Sequence, residues 1–137
     1  MRILAIDHGT KRMGIAVSDE LGMLAQPLEF IPAEPFADFL ERFHAILNEK
    51  HVELILVGMP RNMNGSYGPA ALKVQEFVAV LKDAVTIPIQ TLDERLTSVQ
   101  ANRFLTEAEL GCRRRKEKVD KSAAAVLLQG YLDGRTG

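Results

Sequence analysis

The sequence predicts an α/β fold, a mixed sheet with helices packed on both faces. Three observations carry that expectation. Two apolar, β-rich runs, RILAI (2–6) and MGIAVS (13–18), flank the turn-rich HGTKR (8–12) and predict a hairpin. From residue 36 the apolar period lengthens from that of a strand to that of a helix. After that, continuous apolar runs alternate with helical stripes, as they do in right-handed βα units.

Taken in order, LAQPLEFIP (24–32) follows the hairpin as a third strand, made irregular by Pro27. Phe36, Phe39, Leu40, Phe43, Ile46 and Leu47 fall on one face of an amphipathic helix, with Glu41, Arg42 and Glu49 opposite. VELILVGMP (52–60) is nearly all apolar, which predicts a strand covered on both faces. RNMNGSYGP (61–69) is a loop whose Pro69 can start a helix striped by Val74, Phe77, Val78 and Leu81. TIPIQTL (86–92) is a further strand, and Pro88 predicts an edge or a strand start. Thr97 with Gln100 forms a capping box for a helix over 98–109. GCRRRKEK (111–118) reads as a mobile basic loop, and a last helix is expected over 119–133. No repeat or long linker divides the chain, so residues 1–137 are expected to form a single domain.

Composition narrows the function. Apolar residues make up 47% and charged residues 26%, ordinary for a globular protein. The net charge of -1 gives no global attraction to a polyanion, so any such partner must be held by a local patch. The lone Cys112 forbids an intramolecular disulfide and fits a reducing, cytoplasmic location. No apolar run approaches the roughly 20 residues needed to cross a bilayer, and MRILAIDHGT is interrupted too early for a signal peptide.

The chemistry lies in carboxylates. In open α/β sheets, ligands gather beyond the carboxyl ends of the parallel strands. The first strand ends at Asp7, and the strand at 86–92 runs into Asp93 and Glu94. Alternation lets only one of those two face the site. In the last helix Asp120 shares a stripe with Ala123, Ala124, Leu127 and Tyr131. An inward acid is costly unless paired or bound to a metal, although a start-of-helix acid is also favoured by the helix dipole. Clustered carboxylates without thiolates suit hard cations, Mg²⁺ or Mn²⁺. Two such ions, roughly 4 Å apart, can clamp the attacking and leaving oxygens of a phosphodiester.

Four blocks carry a family resemblance: AIDHGTKRMGIAVSD, VGMPRNMNGS, DERLTS and VDKSAAAVLLQGYLD. In this order, and spanning nearly the whole chain, they resemble the YqgF (RuvX) family of the ribonuclease-H-like superfamily. The resemblance implies a five-stranded mixed sheet of order 3-2-1-4-5. It also implies a metal-dependent nuclease acting on precursor 16S ribosomal RNA, or, in the older inference, on branched DNA as a Holliday junction resolvase. It makes Asp7, Glu94 and Asp120 the catalytic, metal-holding acids, and favours Glu94 over Asp93. Two departures stand out. The fourth strand ends in VGMP with no carboxylate, where many relatives in the superfamily place the second acid, and Asn64 stands where the family often has Asp.

The remaining polar residues divide between substrate contact and plain solvation. Lys11 and Arg12, in the turn after Asp7, are placed to meet substrate phosphate or to stand as solvated hairpin charges. Gly9 permits that turn. Arg95 suits an ion pair as well as a phosphate. Arg113, Arg114, Arg115, Lys116 and Lys118 are the densest basic run, a phosphate-backbone clamp or a solvated loop. His8 is expected to pack on the face opposite Asp7, and His44 and His51 have no evident partner. Met59, Met63 and Tyr67 border the middle loop, in packing or along a groove. Two other functions fit parts of the pattern. One is a non-catalytic nucleic-acid-binding module of the same fold. The other is an ATP-binding lobe, because DHGTKRMGIAVSD also resembles the first phosphate loop of the actin and sugar-kinase group, whose members close two lobes where this chain has length for one.

Overall fold

The computed structural model describes residues 1–60, 66–93 and 113–136, with the side chains of the last helix described from 123 to 134. The helix expected over 98–109, loop residues 61–65 with Met63 and Asn64, and Glu94, Arg95 and Cys112 lie outside the described residues.

The strands are β1 (Arg2–Asp7), β2 (Arg12–Ser18), β3 (Ala25–Pro32), β4 (Val52–Met59) and β5 (Ile89–Asp93). The helices are α1 (Phe36–Lys50), α2 (Pro69–Ala84) and α3 (Arg113–Thr136). The sheet order is β3-β2-β1-β4-β5. β2 is antiparallel to β1 and β3, while β4 is parallel to both β1 and β5. Asp7, Met59 and Asp93 therefore end their strands at one rim.

β1 is the centre of the sheet, and its alternation assigns the two faces. Ile3, Leu4, Ala5 and Ile6 are all fully buried, so β1 is covered on both sides. Leu4 and Ile6 join the cluster built with Phe39, Phe43 and Ile46 of α1 and Val74, Phe77 and Leu81 of α2. Ile3 and Ala5 join the cluster built with Ala123, Ala124, Leu127, Leu128 and Leu132 of α3. Each large apolar side chain so buried contributes about 1.5–3 kcal/mol relative to exposure.

Local chemistry explains most element boundaries. Pro69 opens α2 where its missing N–H costs nothing. α1 stops at His51, whose φ of 53° is left-handed and whose N–H donates to the Leu47 carbonyl. β3 is irregular where its proline suggested: its register against β2 shifts between Ile15 and Ala16, which pair with Glu29 and Pro27. The bulge turns Glu29 to the α1 face, where its carboxylate takes two hydrogen bonds from the Arg42 guanidinium, one of them 2.9 Å from Nε. Pro88 directly precedes the edge strand β5, and its carbonyl accepts from the Ile55 N–H.

One expectation is corrected. Residues 113–118 are helical, and α3 begins at Arg113 instead of near 119. Arg, Lys and Glu are good helix formers, and the i,i+4 spacing of Arg113 with Glu117 and of Glu117 with Lys121 supports a helix. Charge density marked this run as a loop when its propensity favoured a helix. Asp120 accordingly lies about two turns inside α3, where the helix-dipole explanation for an acid fades.

Candidate active site at the rim of the sheet

Asp7 is the last residue of β1 and follows Ile3 and Ala5 in alternation, so it stands on the α3 face. Its partner across the antiparallel ladder is Gly14. On the other flank Ile6 pairs with Val57, and the next residue of β4 is Gly58. The acid is therefore bordered on both neighbouring strands by residues without side chains. Gly58 pairs in turn with Leu92, which packs in the α3 cluster.

α3 runs away from this rim, its N-terminal part being the nearer to it. At the opposite end of the sheet the Ala25 N–H donates to Gln129 Oε1 at 2.9 Å, and Gln129 Nε2 donates to the Met23 carbonyl at 3.0 Å. Ala25 pairs with Ser18, whose Oγ accepts from the Ile3 N–H at 2.9 Å. Gln129 thus stands level with Ile3. From Ile3 to Asp7 the strand climbs about 13 Å. Nine residues back from Gln129, helical rise carries position 120 about the same 13 Å. Position 120 therefore lies from Gln129 in the direction of Asp7's rim, and Arg113 lies a further seven residues that way, about 10 Å along the helix axis.

Asp93 is placed elsewhere. Ile89 packs in the α1–α2 cluster and Leu92 in the α3 cluster, so Asp93 turns to the α2 face. There it pairs with Met59 and lines a cleft of about 470 Å³ with Met59, Tyr67 and Lys82. Met59 and Tyr67 are thus both groove residues, although Met59 is also nearly buried.

The turn after Asp7 is backbone-tight. A Cβ at Gly9 would come within 2.2 Å of the Arg12 carbonyl oxygen, so the position requires glycine. The Ala33 N–H donates to the Lys11 carbonyl at 2.9 Å, which ties the turn to the end of β3. Lys11 is exposed. The Arg12 guanidinium lies 4.2 Å from the centre of the Phe30 ring. Phe30 pairs with Gly14, so Arg12 and Phe30 stand on Asp7's side of the sheet.

His8 faces the other way, as expected. Its ring lies 5.1 Å from that of Phe77. Burial, and then the nearby Lys73 ammonium, hold its pKa below the ordinary 6.5. Among the described residues, no three His, Cys, Asp or Glu gather closely enough to hold a metal ion. The glycine flanks of Asp7 leave room for one, and carboxylates are donors of the right hardness for Mg²⁺ or Mn²⁺. Among the described residues, no helix is long and apolar enough to cross a membrane.

Gly14 and Phe30 escaped the sequence reading. An isolated glycine within MGIAVS was a usable signal, since strand glycines often mark a close approach. Phe30 carried none, because its face depends on the β3 bulge.

Comparison with known proteins follows this geometry. A protein-family model described as "RuvX: Holliday junction resolvase" matches residues 1–134. The chain is 47% identical over 133 residues to a protein of Desulforamulus reducens named "Putative pre-16S rRNA nuclease", covering 97% of each chain. A protein of the same name from Geobacillus kaustophilus is 45% identical over 137 residues, covering 98% of this chain and 99% of its own. Among solved structures, Thermus thermophilus RuvC in complex with a Holliday junction superposes with a TM-score of 0.55 at 17% identity, covering 100% of this chain and 97% of RuvC. Fowlpox virus resolvase, also bound to a Holliday junction, gives 0.54 at 11% identity with both chains covered in full. These two likenesses show the shared ribonuclease-H-like fold. By the family match and these near-full-length relatives, the chain belongs to the RuvX (YqgF) family.

Proposed function

We propose that this protein is a metal-dependent nuclease that hydrolyses phosphodiester bonds in precursor 16S ribosomal RNA, at the 5′ end of the mature sequence. The observation that carries this reading is the placement of Asp7. It is a carboxylate at the carboxyl end of the central strand, with glycine on both flanks, on the face of the sheet that α3 covers. The names of the full-length relatives support the choice of RNA.

Asp7, Glu94 and Asp120 are the acids that would hold Mg²⁺ or Mn²⁺, in one or two ions. A metal held there would supply an activated water and would neutralise charge on the phosphate. Asp93 turns to the other face, which supports Glu94 as the second acid. Asp7 would hold the cation at the centre of the sheet. Lys11, Arg12 and Arg95 would meet flanking phosphates, and Phe30 fixes the Arg12 guanidinium. Arg113, Arg114, Arg115 and Lys116 occupy the N-terminal part of α3. There a row of cations would bind the phosphate backbone without reading sequence.

The test is cleavage of precursor 16S RNA with Mg²⁺ or Mn²⁺ by the wild type and by Asp7→Asn. The variant should keep its fold and its RNA binding and lose at least about a hundredfold in rate. Equal cutting by the two would overturn the assignment. A second reading, resolution of four-way DNA junctions, is favoured by the description of the matching family. It requires two sites acting together, so paired symmetric cuts in a junction, made by a dimer, would establish it.

A further inference from the structure

The strand that ends in Asp7 also opens a second cavity, on the opposite face of the sheet. His8 is the next residue, about 3.8 Å along the backbone, and it points towards α2. With Met13, Phe36, Lys73, Phe77 and Val80 it lines a cleft of about 530 Å³, large enough for a small planar ligand. Its walls are aromatic. His8 stands 5.1 Å from Phe77, and Phe36 meets Phe77 edge-on at 6.4 Å. The walls are also rigid, because Phe77 is nearly buried and belongs to the main core cluster.

The charged groups at this cleft select the ligand. Lys73, Glu34 and Glu76 border it, all three exposed. Two carboxylates against one ammonium disfavour a phosphate. They suit a flat ring with an exocyclic amine, since a carboxylate accepts from the amino group of cytosine or adenine as readily as Lys73 donates to a ring nitrogen or carbonyl. Aromatic side chains supply stacking that every base can use.

We propose that this cleft is a base pocket, and that it holds the amine-bearing nucleobase of a nucleotide next to the phosphate bound at Asp7. The inference rests on the nuclease reading and adds to it a recognition site on the other side of the sheet. The substrate strand passes over the tip of β1. There Gly9 offers no side chain to obstruct it, and the Gly9 position tolerates none. The phosphate stays on the α3 face, and its neighbouring base lies in the cleft over His8 and Phe36, with Phe77 as part of its floor. Recognition of an unstacked base also favours single-stranded over paired substrate.

Two measurements test this. In the first, nuclear magnetic resonance follows the ring signals of His8, Phe36 and Phe77 while Asp7→Asn protein, which binds without cutting, is titrated with the tetranucleotides r(ACAC) and r(UUUU). The rings should shift with r(ACAC) and at least threefold less with r(UUUU) at equal occupancy. In the second, Val80→Trp fills the cleft from an exposed position. It should raise the KM for single-stranded RNA at least tenfold and leave the thermal unfolding midpoint unchanged. If RNA binds and is cut while the rings stay still, or while Val80→Trp binds as tightly as wild type, the base pocket is overturned and the nuclease stands. If the wild type neither binds nor cuts any RNA, the nuclease reading itself fails, and the pocket with it.

Discussion

Asp7 on β1 pairs directly with Gly14 on β2, and the pair shares the α3 face of the sheet. Directly across the ladder, Gly14 presents no side chain to the carboxylate. Gly14→Val should therefore place a branched side chain where the proposed mechanism needs room for a hydrated ion and a phosphate. Cleavage is expected to fall at least tenfold, and the far-ultraviolet circular dichroism should be retained, since valine suits a strand. Wild-type cleavage by that variant would show that the space beside Asp7 is not used.

The two strand-end acids separate cleanly. Asp7 stands on the α3 face and Asp93 on the α2 face. Asp7→Asn should abolish cleavage, whereas Asp93→Asn should stay within about threefold of wild type, a difference of under 1 kcal/mol in barrier. Metal-dependent rates of both variants, measured side by side, decide it.

The basic turns of α3 should act on affinity and leave specificity unchanged. Replacing Arg113, Arg114, Arg115 and Lys116 by alanine keeps helix propensity high and removes cations from the N-terminal part of the helix. Binding to single-stranded RNA should weaken, and the slope of log K against log salt should flatten by roughly 0.7 for each phosphate that is no longer neutralised. An unchanged slope would mean that this arm carries no substrate.

Among the described residues, Ser18 is the one buried polar side chain, and its Oγ accepts the Ile3 N–H at 2.9 Å. Ser18→Ala leaves that amide without its acceptor. Chemical denaturation should show a loss of about 1–3 kcal/mol, far from the site and with catalytic rate preserved.

Glu29 predicts a pH dependence. Its hydrogen bonds to Arg42 hold its pKa below the ordinary 4.5. The unfolded chain therefore binds a proton more readily than the folded one. The stabilisation is fully present above about pH 4.5 and is lost as pH falls through the lower, folded value. The pair is partly exposed, so its contribution stays below about 1 kcal/mol. Glu29→Gln should lower stability at pH 7 by that amount and bring the two proteins together at low pH. A constant difference across the range would exclude the ion pair as its source.

Much of this was legible in the sequence because it is local. The period of Phe36 to Leu47, the proline at position 69 and the apolar run 52–60 gave α1, α2 and β4, since burial of one face or both imprints a period on the chain. The resemblance carried by four short blocks added the strand order, which the sheet shows, and the proposal of three acids. The basic run 113–118 misled because charge density and helix propensity are independent properties. Gly14 was visible as a glycine but not as a neighbour of Asp7.

The sequence by itself determined that Asp7 closes a buried strand, that His8 must face away from it, and that one cysteine and a near-neutral charge leave local patches to do any binding. Which side of the sheet each residue serves was decided only by tertiary structure. Alternation fixes relative faces within a strand, but which helix covers a face depends on how distant segments pack. That packing put α3 on the face of the sheet that Asp7 shares, turned Asp93 towards α2, and set Phe77 beside His8. Pairings between residues 69 positions apart, such as His8 and Phe77, cost loop-closure entropy that only the assembled core offsets, so no local pattern announces them.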